Sequence, residues 1–294
     1  MTYPKILTAI NVYEDYQHVL NTAIAFAEKH QAEQLDIITV IDDTASFIPA
    51  SSDFQKEIET DAKQRIESIK SNITTKTPCH FYILQGGPNR SIADFAEQHQ
   101  HHLAIIGSHS RHGWHRLLGS TAVGVINKVA CDLLVVRLQN DQANQQAHEY
   151  HKILLATDME SDNQRLVEQT KAIAQRENGQ IHPITVYHDP ATISGIYGLT
   201  HETQTAIEEA TAEKMKKWCQ DQQILGKNSI IQKGSPAHTI TKYASEHHYD
   251  LITIGNHQRG ALGRFFIGST ANAVLQTAQQ DVLVVKVDTA KTDS

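Results

Sequence analysis

The chain has 294 residues, of which 40% are hydrophobic and 20% charged, and its formal net charge is −7. This length allows two ordinary domains, each with its own hydrophobic core. The negative charge and the lack of a Lys/Arg-rich run argue against nucleic-acid binding, which needs dense positive charge against phosphate. No run of about 18 apolar residues occurs, so no membrane-spanning helix is predicted.

The cysteines and the N-terminal residues indicate the compartment. Cys79, Cys131 and Cys219 lie far apart and form no Cys-x-x-Cys pair. This predicts small apolar fillers in a reducing compartment, and neither a disulfide set nor a zinc clip. The first residues lead directly into a strand-like run, without the basic and apolar regions of a signal peptide. We therefore expect a cytoplasmic protein.

In chain order, the first half alternates apolar strands with amphipathic helices. Strands are predicted at 6–10, 35–41, 80–84, 103–106 and 132–137, and helices at 16–30, 54–69, 91–100 and 122–129. Ser91 is the predicted N-cap of the third helix. Strands that alternate with helices predict a mostly parallel sheet with helices on both faces.

The second half repeats this order after a polar segment, 139–150, which we interpret as a linker. The matching pairs, at shifts of about 147 to 149 residues, are Lys5–Asn11 with Lys152–Asp158, Gly86–Pro88 with Gly234–Pro236, and Asp132–Arg137 with Asp281–Lys286. Pro183, in the strand that repeats 35–41, predicts a bulged or marginal strand start. The repeat indicates a duplication, with domains over 1–138 and 151–288.

A glycine-containing loop follows the fourth strand of each copy. In the second copy, the apolar run Leu251–Ile254 ends at Gly255, and Gly268, Ser269 and Thr270 open the next helix. Glycines let backbone N–H groups approach a ligand, and a helix start favours an anion. The alternative is a well-capped βα loop without a ligand. Gly107 to Thr121 repeats the pattern in the first copy.

These features resemble the universal stress protein family in its tandem two-domain form, over nearly the whole chain. Nucleotide-binding members carry Gly-x2-Gly-x9-Gly-Ser/Thr after the fourth strand, an aspartate at the end of the first strand, and Gly-x-Pro after the third. The resemblance implies two Rossmann-like α/β domains, each a five-stranded mostly parallel sheet. It also implies ATP or another adenine nucleotide as the ligand, with Mg²⁺ accompanying a triphosphate.

The second copy matches this pattern with one departure. The spacing from Gly255 to Gly268 fits, but Gln258 replaces the second glycine, where its side chain would crowd the phosphates or donate to them. The resemblance implies that Asp158 meets the adenine and that the backbone of Val186 borders it. The residues implied along the ribose and phosphates are Gly255, Gly268, Ser269 and Thr270.

The first copy departs further from the pattern. Asn11 replaces the aspartate, Ser110 replaces the second glycine, and the segment from Ser110 to Gly119 is one residue shorter. A shorter loop moves the donors. This copy therefore resembles the family branch that keeps the fold without nucleotide.

Several polar residues have two interpretations each. The triplet His109, His112 and His115 predicts either a metal site or solvated loop residues. Asp158 could cap the next helix instead of meeting adenine. The arginines of the two loops either pair with phosphate or are solvated: Arg111, Arg116, Arg259 and Arg264. The pairs at 101–102 and 247–248 are predicted as polar helix ends.

No catalytic motif is present in the sequence, so nothing indicates a dedicated enzyme. The leading hypothesis is a stress-response protein that binds adenine nucleotide in its second domain as a sensor or switch. The alternatives are a ligand-free interaction scaffold and a slow ATP hydrolase. The resemblance implies that Leu133–Arg137 and Val282–Lys286 meet, so that the chain imitates a dimer. A homodimer of the whole chain and unidentified protein partners are also open.

Overall fold

The computed structural model describes residues 3–42, 52–108, 120–137, 146–160, 163–187, 201–257 and 268–287. These residues divide into two compact units, the first ending at His148 and the second beginning at Glu149. The linker predicted at 139–150 is described only from residue 146 onward, and the domain limits stay a prediction.

The first unit alternates strands and helices, as predicted. Its strands are β1 Lys5–Ala9, β2 Gln34–Ile41, β3 Cys79–Gln85, β4 Leu103–Ser108 and β5 Asp132–Arg137. Its helices are α1 Gln17–Lys29, α2 Ser52–Asn72, α3 Pro88–Gln98 and α4 Ser120–Ile126. The strand order is β3-β2-β1-β4-β5, and each neighbouring pair is parallel. Strands β1, β2, β4 and β5 are largely buried, as their continuous apolar runs require.

The second unit repeats the same topology. Its strands are β6 Lys152–Ala156, β7 Gln180–Tyr187, β8 Ile230–Lys233, β9 Leu251–His257 and β10 Asp281–Val287. Its helices are α5 Gln164–Glu177, α6 His201–Asp221, α7 Pro236–Glu246 and α8 Ser269–Thr277, with a short 3₁₀ turn at Gly226–Asn228. The order β10-β9-β6-β7-β8 is parallel throughout. The tandem α/β fold is thus confirmed.

The turn before α3 differs from the prediction, because Ser91 is not the N-cap. Gly87 caps the helix and Pro88 occupies its first turn, so α3 begins three residues earlier than predicted. Gly86 has a φ of 120°, which favours glycine, and proline is pre-organised for a first helical position. The second unit repeats this turn with Gly234 and Pro236.

Strand β7 starts without a bulge, so the bulged alternative predicted at Pro183 is wrong, while the start of the strand is paired on one side only. The register with β6 runs continuously from Gln180 to Ile184, and Pro183 pairs with Leu155. The ladder with β8 begins only at Ile184. Because Pro183 precedes that ladder, its missing N–H removes no bond from it.

A buried tyrosine–aspartate hydrogen bond is present in both units. The Tyr3 hydroxyl donates to Asp132 Oδ2 over 2.9 Å, and the Tyr150 hydroxyl donates to Asp281 Oδ2 over 2.8 Å. Each bond joins the segment before the first strand to the start of the last. Burial and the neighbouring Asp281 carboxylate raise the pKa of Tyr150 well above its usual value, so this hydroxyl stays a donor.

Candidate functional site

The carboxyl ends of β9, β6 and β7 lie side by side in the second unit; we call this the carboxyl edge. The registers pair Ala156 with Ile184 on one side and with Ile254 on the other. Val186, Asp158 and Asn256 each lie two residues beyond these paired positions. Parallel sheets bind ligands at this edge, and the fold therefore brings two predicted contacts to the same level as an asparagine that the sequence analysis missed.

Asp158 is exposed and forms a turn. Its Oδ1 accepts a hydrogen bond from the backbone N–H of Glu160 over 3.1 Å and another from the Asn163 side-chain amide. Met159, which lies between Asp158 and Glu160, has a φ of 62°. Asp158 thus does not cap α5, whose N-cap is Asn163, but closes an Asx turn ahead of that helix.

The first unit shows that this turn does not require a carboxylate. Asn11, the residue that matches Asp158, accepts the backbone N–H of Tyr13 through its Oδ1 over 3.1 Å. Both side chains therefore bond two residues ahead, in the pattern of an Asx turn. Since asparagine makes the turn equally well, turn formation alone does not explain the aspartate in the second unit.

Gly255 and Gly268 are glycines for different reasons. A Cβ atom at Gly255 would lie 3.1 Å from Val287 Cγ2, 3.5 Å from Asn163 Oδ1 and 3.6 Å from Leu166 Cδ2. Tight packing therefore explains Gly255. A Cβ atom at Gly268 would meet no described residue within 4 Å, and the φ there is −55°, which any residue adopts. Neither packing nor backbone strain requires glycine at 268.

Helix α8 begins at the carboxyl edge and offers backbone donors. The first-turn N–H groups of a helix have no acceptor within it, and the positive end of the helix dipole favours an anion there. The Asn272 N–H closes the first turn on the Gly268 carbonyl over 3.0 Å. Ser269 is exposed and Thr270 half-buried at this start. Backbone N–H groups and hydroxyls therefore stand where the sequence predicts phosphate.

Asn256 is the residue that the sequence analysis missed. It is 0% exposed, and its Oδ1 accepts the Gly268 N–H over 2.9 Å. The Gly268 N–H is therefore already used within the protein. Asn256 Nδ2 is buried and has no hydrogen-bond partner in the part of the chain that the structure describes. The one signal in the sequence that could have identified Asn256 is the difference between the two copies, because Ser108 stands at the matching place in β4.

Other predicted site residues fall outside the described residues. They are Gln258, Ser110, the histidines at 109, 112 and 115, and the arginines at 111, 116, 259 and 264. Within the described ranges, no group of three or more His, Cys, Asp or Glu side chains could hold a metal ion. No helix in those ranges is long and apolar enough to span a membrane.

His101 was predicted to be a polar helix end, but it is part of a buried cluster in the first unit. Its Nε2 lies 2.9 Å from Asp36 Oδ2, and His80 Nδ1 lies 3.2 Å from Asp36 Oδ1. Burial alone would raise the pKa of Asp36, but hydrogen bonds from His101, Gln34 and His80 outweigh it and lower this pKa. The cluster lies near the strand starts of the first unit, not at the carboxyl ends of those strands.

The second unit replaces this cluster with a different polar pair. His182 occupies the place of Asp36, and its Nδ1 lies 2.6 Å from the Tyr249 hydroxyl. Burial, together with the nearby Lys152, lowers the pKa of His182, and burial raises that of Tyr249. The position is thus a polar contact in both units, made by different side chains.

A doubled parallel α/β unit with a helix start at its carboxyl edge defines a class of ligand-binding folds. The family model described as universal stress protein family matches residues 2–137 and again 149–286. The chain therefore belongs to the universal stress protein family, in tandem form.

Individual relatives agree with this assignment. Universal stress protein A homolog 2 of Coxiella burnetii is 28% identical over 141 residues, which cover 47% of this chain and 96% of that protein. A universal stress protein structure from Archaeoglobus fulgidus aligns over 98% of this chain and 97% of its own, with 20% identity and a TM-score of 0.66. A universal stress protein solved in complex with cAMP aligns with 47% of this chain and 98% of its own, at 20% identity and a TM-score of 0.33. That similarity is too low to assign its ligand here.

Proposed function

We propose that the second unit binds an adenine nucleotide at its carboxyl edge and that the protein acts as a nucleotide-dependent sensor or switch in a stress response. The observation that carries this is Gly268, a glycine beside the start of α8 where a side chain would meet nothing within 4 Å. No atom of the described residues fills this space. A phosphate group fits it, because helix N-termini bind anions.

The proposed adenine end lies at Asp158 and Val186. Asp158 is exposed and level with Val186, and its first-unit counterpart makes the same turn as an asparagine. The carboxylate can accept a hydrogen bond from the adenine amino group, and the half-buried Val186 can border the ring. Ser269 and Thr270, with the backbone at Gly255 and Gly268, then lie along the ribose and phosphates. Gln258 stays a predicted contact.

Mg²⁺ is proposed only as a companion of a triphosphate. Magnesium is commonly held by substrate phosphates, waters and one or two carboxylates, and does not need a protein cage. Because Asp158 is placed at the adenine end, phosphate oxygens and water would be the ligands of the ion here.

The decisive experiment is calorimetric titration of ATP, ADP and AMP into the full chain and into Asp158→Asn. Asparagine keeps the turn, as Asn11 demonstrates, but removes the negative charge. We expect wild type to bind and the variant to lose about tenfold in affinity, with unfolding unchanged, because one charge-assisted hydrogen bond is lost. Asn11→Asp is the matched control in the first unit and should leave binding unchanged.

The outcomes separate the candidate functions. Wild-type protein that gives neither heat nor thermal stabilisation at millimolar nucleotide would refute the proposal and leave the interaction scaffold. Phosphate release from ATP that disappears in Ser269→Ala would instead support the slow hydrolase. The pairing of Leu133–Arg137 with Val282–Lys286 and the cytoplasmic location stay predictions.

A further inference from the structure

We propose that the Asn256 side-chain amide connects the start of α8 to the ligand, with Oδ1 holding Gly268 and Nδ2 donating to a phosphate oxygen. This inference rests on the proposed nucleotide site and adds a residue to it. Asn256 lies level with Asp158 at the carboxyl edge and is bonded to Gly268. It therefore stands between the proposed adenine end and the proposed phosphate end.

The orientation of the amide follows from its one hydrogen bond. The Gly268 N–H is a donor, so the amide atom that faces it over 2.9 Å has to be the oxygen. An amide turned the other way would place two donors against each other. Nδ2 is consequently directed away from the Gly268 N–H while remaining beside the same helix start.

Nδ2 has no partner among the described residues, although the side chain is 0% exposed. Buried polar groups are nearly always hydrogen-bonded, and a buried donor without an acceptor costs free energy. Holding the helix start does not by itself require such a donor, because a hydroxyl can also accept from an N–H. Ser108 stands at the matching strand end of the first unit.

The missing partner has to be a hydrogen-bond acceptor, because an amide nitrogen only donates. Beside the start of α8, where backbone N–H groups favour negative charge, a phosphate oxygen meets this requirement. Asn256 would then select ligands that carry a phosphate over the bare nucleoside. It would also transmit ligand binding to α8, because the same amide holds Gly268.

The test compares adenosine, AMP and ATP binding to full-length wild type, Asn256→Asp and Asn256→Ser by calorimetry. Aspartate keeps an acceptor for the Gly268 N–H but replaces the donor with an oxygen that repels phosphate. We expect AMP and ATP to bind Asn256→Asp at least about tenfold more weakly, since hydrogen bonds to charged groups are strong, and adenosine to change less than about threefold. Asn256→Ser reproduces the residue of the first unit and should show a smaller loss of the same kind.

Hydrogen exchange at the Gly268 amide provides a structural control. It should stay protected in Asn256→Asp, where an acceptor remains. If that variant does not fold, Asn256→Ser decides the question. Wild type that binds AMP no better than its variants overturns this inference while leaving the nucleotide site intact. Equal losses for adenosine and AMP would also overturn the phosphate contact, because they indicate a role in shaping the site alone. Wild type that binds none of the three ligands refutes the proposed function and this inference with it.

Discussion

The two glycines of the second loop should respond in opposite ways to the addition of one methyl group. In Gly255→Ala the new Cβ lies 3.1 Å from Val287 Cγ2 and 3.5 Å from Asn163 Oδ1. The first distance is shorter than an ordinary carbon–carbon contact, so the Val287 side chain has to move aside. Overpacking of this kind costs about 1–3 kcal/mol of unfolding free energy.

In Gly268→Ala the methyl group meets no atom of the described ranges within 4 Å, and the φ of −55° and ψ of 147° suit alanine. The loss of backbone freedom in the unfolded chain favours alanine by about 0.4–1 kcal/mol. Alanine is a poorer N-cap than glycine, which opposes this gain. The net change in unfolding free energy should therefore stay within about 1 kcal/mol.

Nucleotide affinity should follow the reverse order. The methyl group of Gly268→Ala occupies the open space beside the α8 start, and Gly268→Val fills more of it, so AMP should bind about tenfold or more weakly. Urea unfolding measures stability and calorimetry measures affinity on the same samples. A folded Gly268→Val protein with unchanged AMP affinity would refute the proposed phosphate position. Equal destabilisation by both alanine variants would refute the packing difference between the glycines.

Two further predictions concern buried polar pairs. Tyr3→Phe and Tyr150→Phe should each lower the unfolding free energy by about 1–3 kcal/mol, because each leaves a buried aspartate without one donor. Urea unfolding of both variants measures this effect. A lower unfolding free energy in only one of the two variants would contradict the prediction. The folded-state pKa of Asp36 is lowered, so its ionised form stabilises the fold above the unfolded pKa of about 4, and this stabilisation is lost as the pH falls through the folded pKa. Asp36→Asn should therefore lose stability at pH 7 and approach wild type near pH 2; a stability difference that does not depend on pH would contradict the role of the charge.

Local pattern was sufficient to predict most of the fold. The apolar runs of β2, β4 and β5 and the helical period of α1 are carried by residues close in sequence, and the structure has these elements within about two residues of their predicted limits. The start of α3 was placed wrongly because Gly86–Pro88 was interpreted only as a turn. Proline also starts helices, and here it occupies the first turn.

Partners distant in sequence could not be predicted in the same way. Asp36 and His101 are 65 residues apart, and only the folded sheet, in which β1 lies between β2 and β4, brings them into contact. Asn256 looked like an ordinary loop residue, because the bond from Gly268 spans 12 residues, ten of which lie outside the described ranges. The spacing of the glycines predicted an anion site, but it could not show that Gly255 is a packing residue and Gly268 is not.

The duplication distinguishes what folding requires from what it does not. Where the fold needs a polar contact, both units have one, either with the same residues, as in Tyr3–Asp132 and Tyr150–Asp281, or with a replaced pair, as in Asp36–His101 and His182–Tyr249. The carboxyl edge differs. There asparagine and aspartate each accept a backbone N–H two residues ahead, and Asn256 introduces a donor that is unpaired among the described residues. The turn does not require the carboxylate, and the bond from the Gly268 N–H does not require the Nδ2 donor; a ligand at this edge would account for both.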